Sequence, residues 1–448
     1  MRKTLFRLFP ALLLLAIPVC ALADVSIDSA TILRFQQDDR LGLPKERFMP
    51  VTQFLGVDAD KLADGNLSLH LYGWGRLDMK DRSYNDDYTE GSLTHGYLQY
   101  RFNHANARIR AGRFFITEGI VNEQVDGLSV RTDLPFGFGL SAFGGATVNT
   151  ESIPGEGTDG KGDGIYGGRV NFRYGGMLEL GVSGVYESNA PNLANPGNQA
   201  LARAGNFGNR RLIGGDIWLS PHRMVELLGR TSYNTETNDV AEHSYLLNVK
   251  PLPDLVLTGE FNEYRERSLF YSSVMFARLV NSLNEGSRTV GGRISYKPME
   301  MVEIAADYRH YSRDIGESAR FGGDIRFNLL DNSLRAGIGY HYLRSGPDYA
   351  VTPSASASGS FHDVRAYVMR DTKTYFAALD GVGYFFKKNV NNKDSAWETI
   401  ASLGYHLTPG LALSGDISYG QNPQFNDEVK GLLRLTFNTN ITEKGGKK

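Results

Sequence analysis

The chain has 448 residues, and its 48 lysines and arginines against 50 acids leave a formal net charge of −2, so it has no basic footprint for nucleic acid. A mean hydropathy of −0.31, with no apolar run after residue 23 near the roughly 18–20 residues of a spanning helix, excludes a helical membrane protein. Glycine is abundant, at 51 residues, as are Tyr (23) and Phe (24); this suits a membrane sheet with aromatic rings at its interfaces.

The N-terminus supplies an address. Arg2, Lys3 and Arg7 precede the apolar run Leu12 to Ile17, and Ala21-Leu22-Ala23 offers a small-residue cleavage site before Asp24, so residues 1–23 read as a removed signal peptide. Cys20 raises a lipoprotein, but Val19 stands where lipid attachment wants a small residue, and ordinary cleavage is favoured. The mature chain is then free of cysteine: it can hold no disulfide, no thiolate metal site and no CxxCH haem attachment, and no cofactor is expected. Residues 24–65 lack sustained alternation and read as an N-terminal extension, periplasmic or packed in a lumen.

From Asn66 apolar and polar residues alternate. In the first convincing strand Leu67, Leu69, Leu71, Gly73, Gly75, Leu77 and Met79 share one face, and Ser68, His70, Tyr72, Trp74, Arg76 and Asp78 the other. One face suits lipid and the other water. The acidic stretch DRSYNDDYTE leads to a strand over 91–103, and the short HAN turn returns the chain through ARIRAGRFF. Tight turns follow at TDLPFG, YGG, SPHR, KPLPD, KPME, LLDNS, RDTK and LTPG, rich in the Pro, Gly, Asp and Asn that reversals demand. Longer connections, 149–163, 188–209, 265–287, 345–359 and 387–395, lie between them.

Short and long connections alternate as periplasmic turns and extracellular loops do around a transmembrane antiparallel β-barrel. The segments give an all-β barrel of about 20 strands (roughly 18–22) over residues 66–437, and an even count leaves both ends in the periplasm. The last strand, EVKGLLRLTF, places Val429, Gly431, Leu433, Leu435 and Phe437 on one face and Lys430 and Arg434 on the other. Phe437 is the aromatic expected of a C-terminal insertion signal. A polar tail, 438–448, follows it.

On the inward faces the alternation places Arg76, Arg101, Arg108, Arg110, Arg169, Arg173, Arg230, Arg293, Arg309, Arg326, Arg335 and Arg434. Glu179, Glu226, Glu260, Glu303, Asp307, Asp324 and Asp416 join them. The arginines outnumber these acids, and guanidinium groups in a constriction attract anions and offer paired donors to oxyanions. The competing reading is that they pair with acids across neighbouring strands and brace the wall; both can hold. The insertion 265–287 spaces Leu269, Phe270, Val274 and Val280 more like a helix than a strand, which makes it a candidate constriction, with an external lid or partner-docking surface as the alternative.

Other motifs point nowhere sharper. GEGTDGKGDG, 155–164, contains a formal GxGxxG but no strand-to-helix setting, and as a calcium loop it has Lys161 at a ligand position and lacks the closing Glu. The nine histidines form no HExxH, there is no GxSxG, and no metal site or enzyme activity is expected.

The runs LSLHLYGWGRLDMKD, AGRFF and VDGLSVRTDLPFG resemble the porin-like outer-membrane β-barrels of metal-reducing, delta-type bacteria. The resemblance covers most of residues 45–437. It implies one of two roles: a channel for small hydrophilic solutes such as oxyanions, or the barrel of a porin-cytochrome conduit that sheathes multihaem cytochromes for electron transfer across the outer membrane. The missing CxxCH means that any haem belongs to partner chains. Expected partners are outer-membrane lipids and the barrel-assembly machinery, with cytochromes only in the second role.

Overall fold

The computed structural model describes residues 24–38, 46–81, 88–148, 164–191, 207–265, 287–313, 316–345, 359–423 and 425–441. Its strands, in chain order, begin with β1 (Asp24–Asp38), β2 (Glu46–Phe48), β3 (Pro50–Lys61), β4 (Leu67–Asp78), β5 (Thr89–Arg101), β6 (Ala107–Glu118), β7 (Val121–Asp133) and β8 (Phe138–Thr147). They continue with β9 (Ile165–Tyr174), β10 (Leu178–Pro191), β11 (Phe207–His222), β12 (Val225–Asn234), β13 (Asp239–Leu252), β14 (Leu255–Tyr264), β15 (Ser287–Met299) and β16 (Val302–Arg313). The last are β17 (Gly316–Leu329), β18 (Leu334–Ser345), β19 (Phe361–Asp371), β20 (Tyr375–Val390), β21 (Lys393–Thr408), β22 (Leu411–Asn422) and β23 (Phe425–Ile441).

Each strand pairs antiparallel with its chain neighbour, and β1 pairs along its length with β23, from Val25 opposite Ile441 to Gln36 opposite Lys430. The sheet is therefore closed. Both β2 and β3 pair with β1 and are two pieces of one wall strand broken at Met49, so the cylinder has 22 strands. At a strand spacing near 4.8 Å and a tilt near 40° that is roughly 40 Å across the backbone.

The wall corrects the expected boundaries. Residues 24–65 are not an extension: β1, β2 and β3 belong to the cylinder, and only the single helical turn Leu62–Gly65 separates them from β4. The twenty strands β4 to β23 come from the region where about 20 were expected, and the first two wall strands make up the difference. Nor does the last strand stop at Phe437. Asn438 to Ile441 continue it against β1, while 442–448 lie outside the described residues, as do 1–23.

The two rims differ. One carries only tight turns, including Gly175 and Gly176 at φ +55° and +67°, a backbone that favours glycine. On the other rim long connections mix with tight hairpins, where short and long connections were expected to alternate almost without exception. There β20 and β21 meet at Asn391-Asn392, with φ of +47° and +62°, the paired positive φ of a type I′ turn; 387–395 is thus a hairpin and not a loop.

Large apolar residues fill one face and stand exposed, Leu128 at 59% and Leu403 at 66% among them. Such a face is stable only against lipid. The other face is concave. There side chains two strands apart meet, as Arg293 on β15 meets Asp324 on β17 at 2.9 Å and His341 on β18 meets Asp307 on β16 at 2.9 Å.

Candidate functional site: the lumen wall and an infolded hairpin

The β6–β7 hairpin leaves the wall and folds into the lumen. Its outer ladders stop early: β5 pairs with β6 only as far as Gly96 opposite Arg113, and β7 pairs with β8 only as far as Val125 opposite Thr147. Ten positions separate Arg108 from Glu118 along β6, roughly 30 Å in a straight strand. Yet Glu118 Oε1 lies 3.9 Å from Arg108 Nη2 and 3.2 Å from Arg131 Nη1, so the hairpin doubles back onto the inner wall. Gly112 permits the bend. Its φ is +124°, and a Cβ there would stand 2.2 Å from the Gly96 carbonyl oxygen.

The tip is anchored from both chemistries. Phe114, Ile116, Ile120, Val121 and Val125 pack with Phe143, Ile165, Val185, Leu212 and Ala241, and Phe114 and Val125 are fully buried. The Ile120 N–H donates to Ser183 Oγ at 3.3 Å, and Arg210 Nη1 reaches Glu123 at 2.6 Å and Glu187 at 3.1 Å. Five buried apolar side chains, each contributing about 1.5–3 kcal/mol, make this a fixed part of the lumen. The sequence signal was available. Phe114, Ile116 and Val125 hold inward positions that a water-filled wall would give to polar residues.

Most of the predicted arginines are paired. Arg76 lies 2.8 Å from Glu90 and 3.6 Å from Asp78. Arg169 bonds Glu179 at 2.8 Å and Asp216 at 2.5 Å, and Arg173 shares Glu179 at 2.8 Å. Arg230 meets Glu242 at 2.7 Å, Arg293 and Arg326 share Asp324, and Arg309 meets Glu260. Arg335 donates to Met369 Sδ at 3.1 Å and lies 3.8 Å from Asp371. Register also turns Asp78, Glu90, Asp216, Glu242, Asp363, Asp380, Glu398 and Glu428 inward. The excess of arginine expected over the whole lumen is therefore not there; acids from the neighbouring strands offset it.

The excess is local. Arg101 on β5 stands directly opposite Arg108 on β6, which stands directly opposite Arg131 on β7. Like charges in that relation oppose folding by about 0.2–1 kcal/mol per pair. Arg110 lies one inward position further along, its Nε donating to Gln99 Oε1 at 2.9 Å and its guanidinium 5.5 Å from the Tyr97 ring centroid. The acid that acts on Arg108 alongside these three arginines is Glu118. A cavity of about 160 Å³ beneath the tip is lined by Arg108, Arg110, Arg131 and Glu118 together with Ser129 and Ser141. Sequence reasoning misses Arg131, because its segment, VDGLSVRTD, enters as a motif and not as the two faces of a strand.

Other candidates fall elsewhere. Arg434 faces the lumen opposite Ile32, with no carboxylate in salt-bridge range among the described residues. Phe437 is on the outer face, opposite Ser29 and Leu411. Leu269, Phe270, Val274 and Val280 lie outside the described residues, as does all of 155–163. The structure does assemble one grouping that the sequence did not suggest: His70 Nδ1 lies 2.6 Å from Asp58 Oδ1, and His70 Nε2 lies 3.0 Å from Ser68 Oγ. Ser68 lies in a strand paired on both sides, where backbone N–H groups are committed to the ladder and none is aimed at an oxyanion. The trio ties β3 to β4.

A closed antiparallel cylinder with a lipid-type outer face and a charged interior is the architecture of an outer-membrane β-barrel. No family model matches the chain, and no curated protein matches it in sequence. Among solved structures it is similar to a point mutant of the ferric enterobactin receptor PfeA of Pseudomonas aeruginosa, with a TM-score of 0.57 and 11% identity over 93% of this chain and 80% of that one. Looser matches are OccK3 of P. aeruginosa (TM-score 0.44, 11% identity, 94% and 96% covered) and OccAB4 of Acinetobacter baumannii (0.45, 10%, 93% and 98%). At these identities the likeness to the receptor is one of fold.

Proposed function

We propose that this protein is an outer-membrane channel for small hydrophilic solutes, with a preference for oxyanions, and that it has no enzyme activity. The row Arg101, Arg108 and Arg131 carries the reading: three guanidiniums aligned against their own repulsion, inside a closed cylinder, attract anions on their way through. The infolded hairpin supports it. It narrows a lumen otherwise roughly 40 Å across, as a selective passage requires. The resemblance to barrels of metal-reducing bacteria leaves a second role, a sheath for multihaem cytochromes; the same hairpin occupies space that such a partner would need, which favours the channel.

Purified mature protein in planar bilayers should give ohmic single-channel steps and, under a salt gradient, a reversal potential of the anion-preferring sign. Cation preference would end the oxyanion reading. A stable complex that stains for haem after detergent extraction, with no conductance, would replace the channel by the sheath.

A further inference from the structure

We infer that Arg108, Arg110 and Arg131 form a binding site for a small oxyanion, and that Glu118, carried on the infolded hairpin, is its resident competitor. This deepens the channel reading and rests on it for the passage of the ligand.

The cavity of about 160 Å³ beneath the hairpin has room for a small anion with a few waters. Guanidinium donors come from two strands of its wall, and the site is held together by the anchored tip. Glu118 Oε1 lies 3.2 Å from Arg131 and 3.9 Å from Arg108, so its carboxylate already offers these cations what an incoming oxyanion would offer. Among the described residues no carboxylate comes within salt-bridge range of Arg110, whose Nε is held by Gln99, and the site keeps a positive excess with Glu118 in place. The tip itself does not depend on Glu118, because the apolar cluster and the Arg210–Glu123 pair hold it.

Such an arrangement suits a transit site. Conduction needs binding strong enough to draw the ion in and weak enough to let it go. A carboxylate that swings back onto Arg131 as the ligand departs supplies the weakness without removing the arginines that draw the ligand in. Glu118 thus sets how long the ligand stays.

Titration calorimetry of the full mature protein in detergent, with sulfate as the probe, tests this. The parent should show saturable binding; Glu118→Gln should bind about tenfold more tightly, and the Arg108→Gln/Arg131→Gln double variant should lose binding. Glu123→Gln removes an acid of the tip that does not line the cavity, and it leaves the apolar cluster to hold the tip, so it should bind as the parent does. In bilayers Glu118→Gln should show sulfate currents that saturate at lower concentration. If Glu118→Gln binds as the parent does or more weakly, the competitor role is overturned. If parent and double variant bind alike, the site is overturned. Should Glu118→Gln fail to assemble, Glu118→Asp serves, because its shorter reach must also tighten binding. Sulfate binding without any conductance would sink the channel reading and leave the site standing; conductance without binding would do the reverse.

Discussion

Replacing Phe114 by alanine should release the hairpin tip from the lumen wall and leave the wall intact. Phe114 is fully buried in the cluster beneath the tip, with its ring edge-on to Tyr97 at 6.3 Å between centroids. It lies beyond the last residue of β6 that pairs with β5. Truncating such a residue costs about 3–5 kcal/mol. The loss falls on docking alone, so the undocked population should rise by roughly 140-fold to 3,700-fold, at about 1.4 kcal/mol per factor of ten. Ile120 reports it directly. It is 6% exposed when docked, and the chain from Asp24 onward contains no cysteine, so Ile120→Cys is a single reporter. Its maleimide labelling rate follows the open population when reclosing is fast. Labelling of Ile120→Cys/Phe114→Ala should be at least about a hundredfold faster than that of Ile120→Cys, with unchanged heat-modifiable mobility on gels. A rise below about tenfold in a fully assembled barrel would refute the docked geometry.

Three further outcomes are expected. Arg108→Gln/Arg110→Gln should move the reversal potential toward zero, and an unchanged potential would place selectivity elsewhere in the lumen. Asp307, whose side chain is 3% exposed, meets His341 at 2.9 Å, Arg320 at 3.3 Å and Arg293 at 3.8 Å. Asp307→Ala leaves these groups facing one another and should lower stability by about 3–5 kcal/mol, read as a lower temperature of heat modification. Ser68 should stay unlabelled by a fluorophosphonate; labelling that disappears in His70→Ala would show a working nucleophile and overturn the non-enzymatic reading.

The cylinder was legible because lipid imposes a period of two, and Leu67, Leu69, Leu71 and Leu77 obey it. β1 was not legible for the same reason. Its outward residues include Ser29 and Thr31 and its inward residues Ala30 and Ile32, so the alternation inverts at mid-strand. In the fold Ser29 bonds Gln53 of β3 at 2.8 Å and Thr31 bonds it at 2.5 Å, which satisfies these polar groups on the outer face. The basic row was half legible. Arg101 and Arg108 were placed inward by their own strands, but their alignment with Arg131 depends on register across three strands, which hairpin lengths alone do not fix. Pairings that skip a strand, such as Arg169 with Asp216, arise from the curvature of the wall and leave no mark on either strand.

The seam between β1 and β23 has a consequence for connectivity. Val25 and Ile441 are backbone partners, so the two ends of the wall emerge side by side on one rim, close enough for a few residues to splice them. Opening the chain instead between Asn391 and Asn392 would yield a circular permutant whose strands follow a different order along the polypeptide and enclose the same lumen.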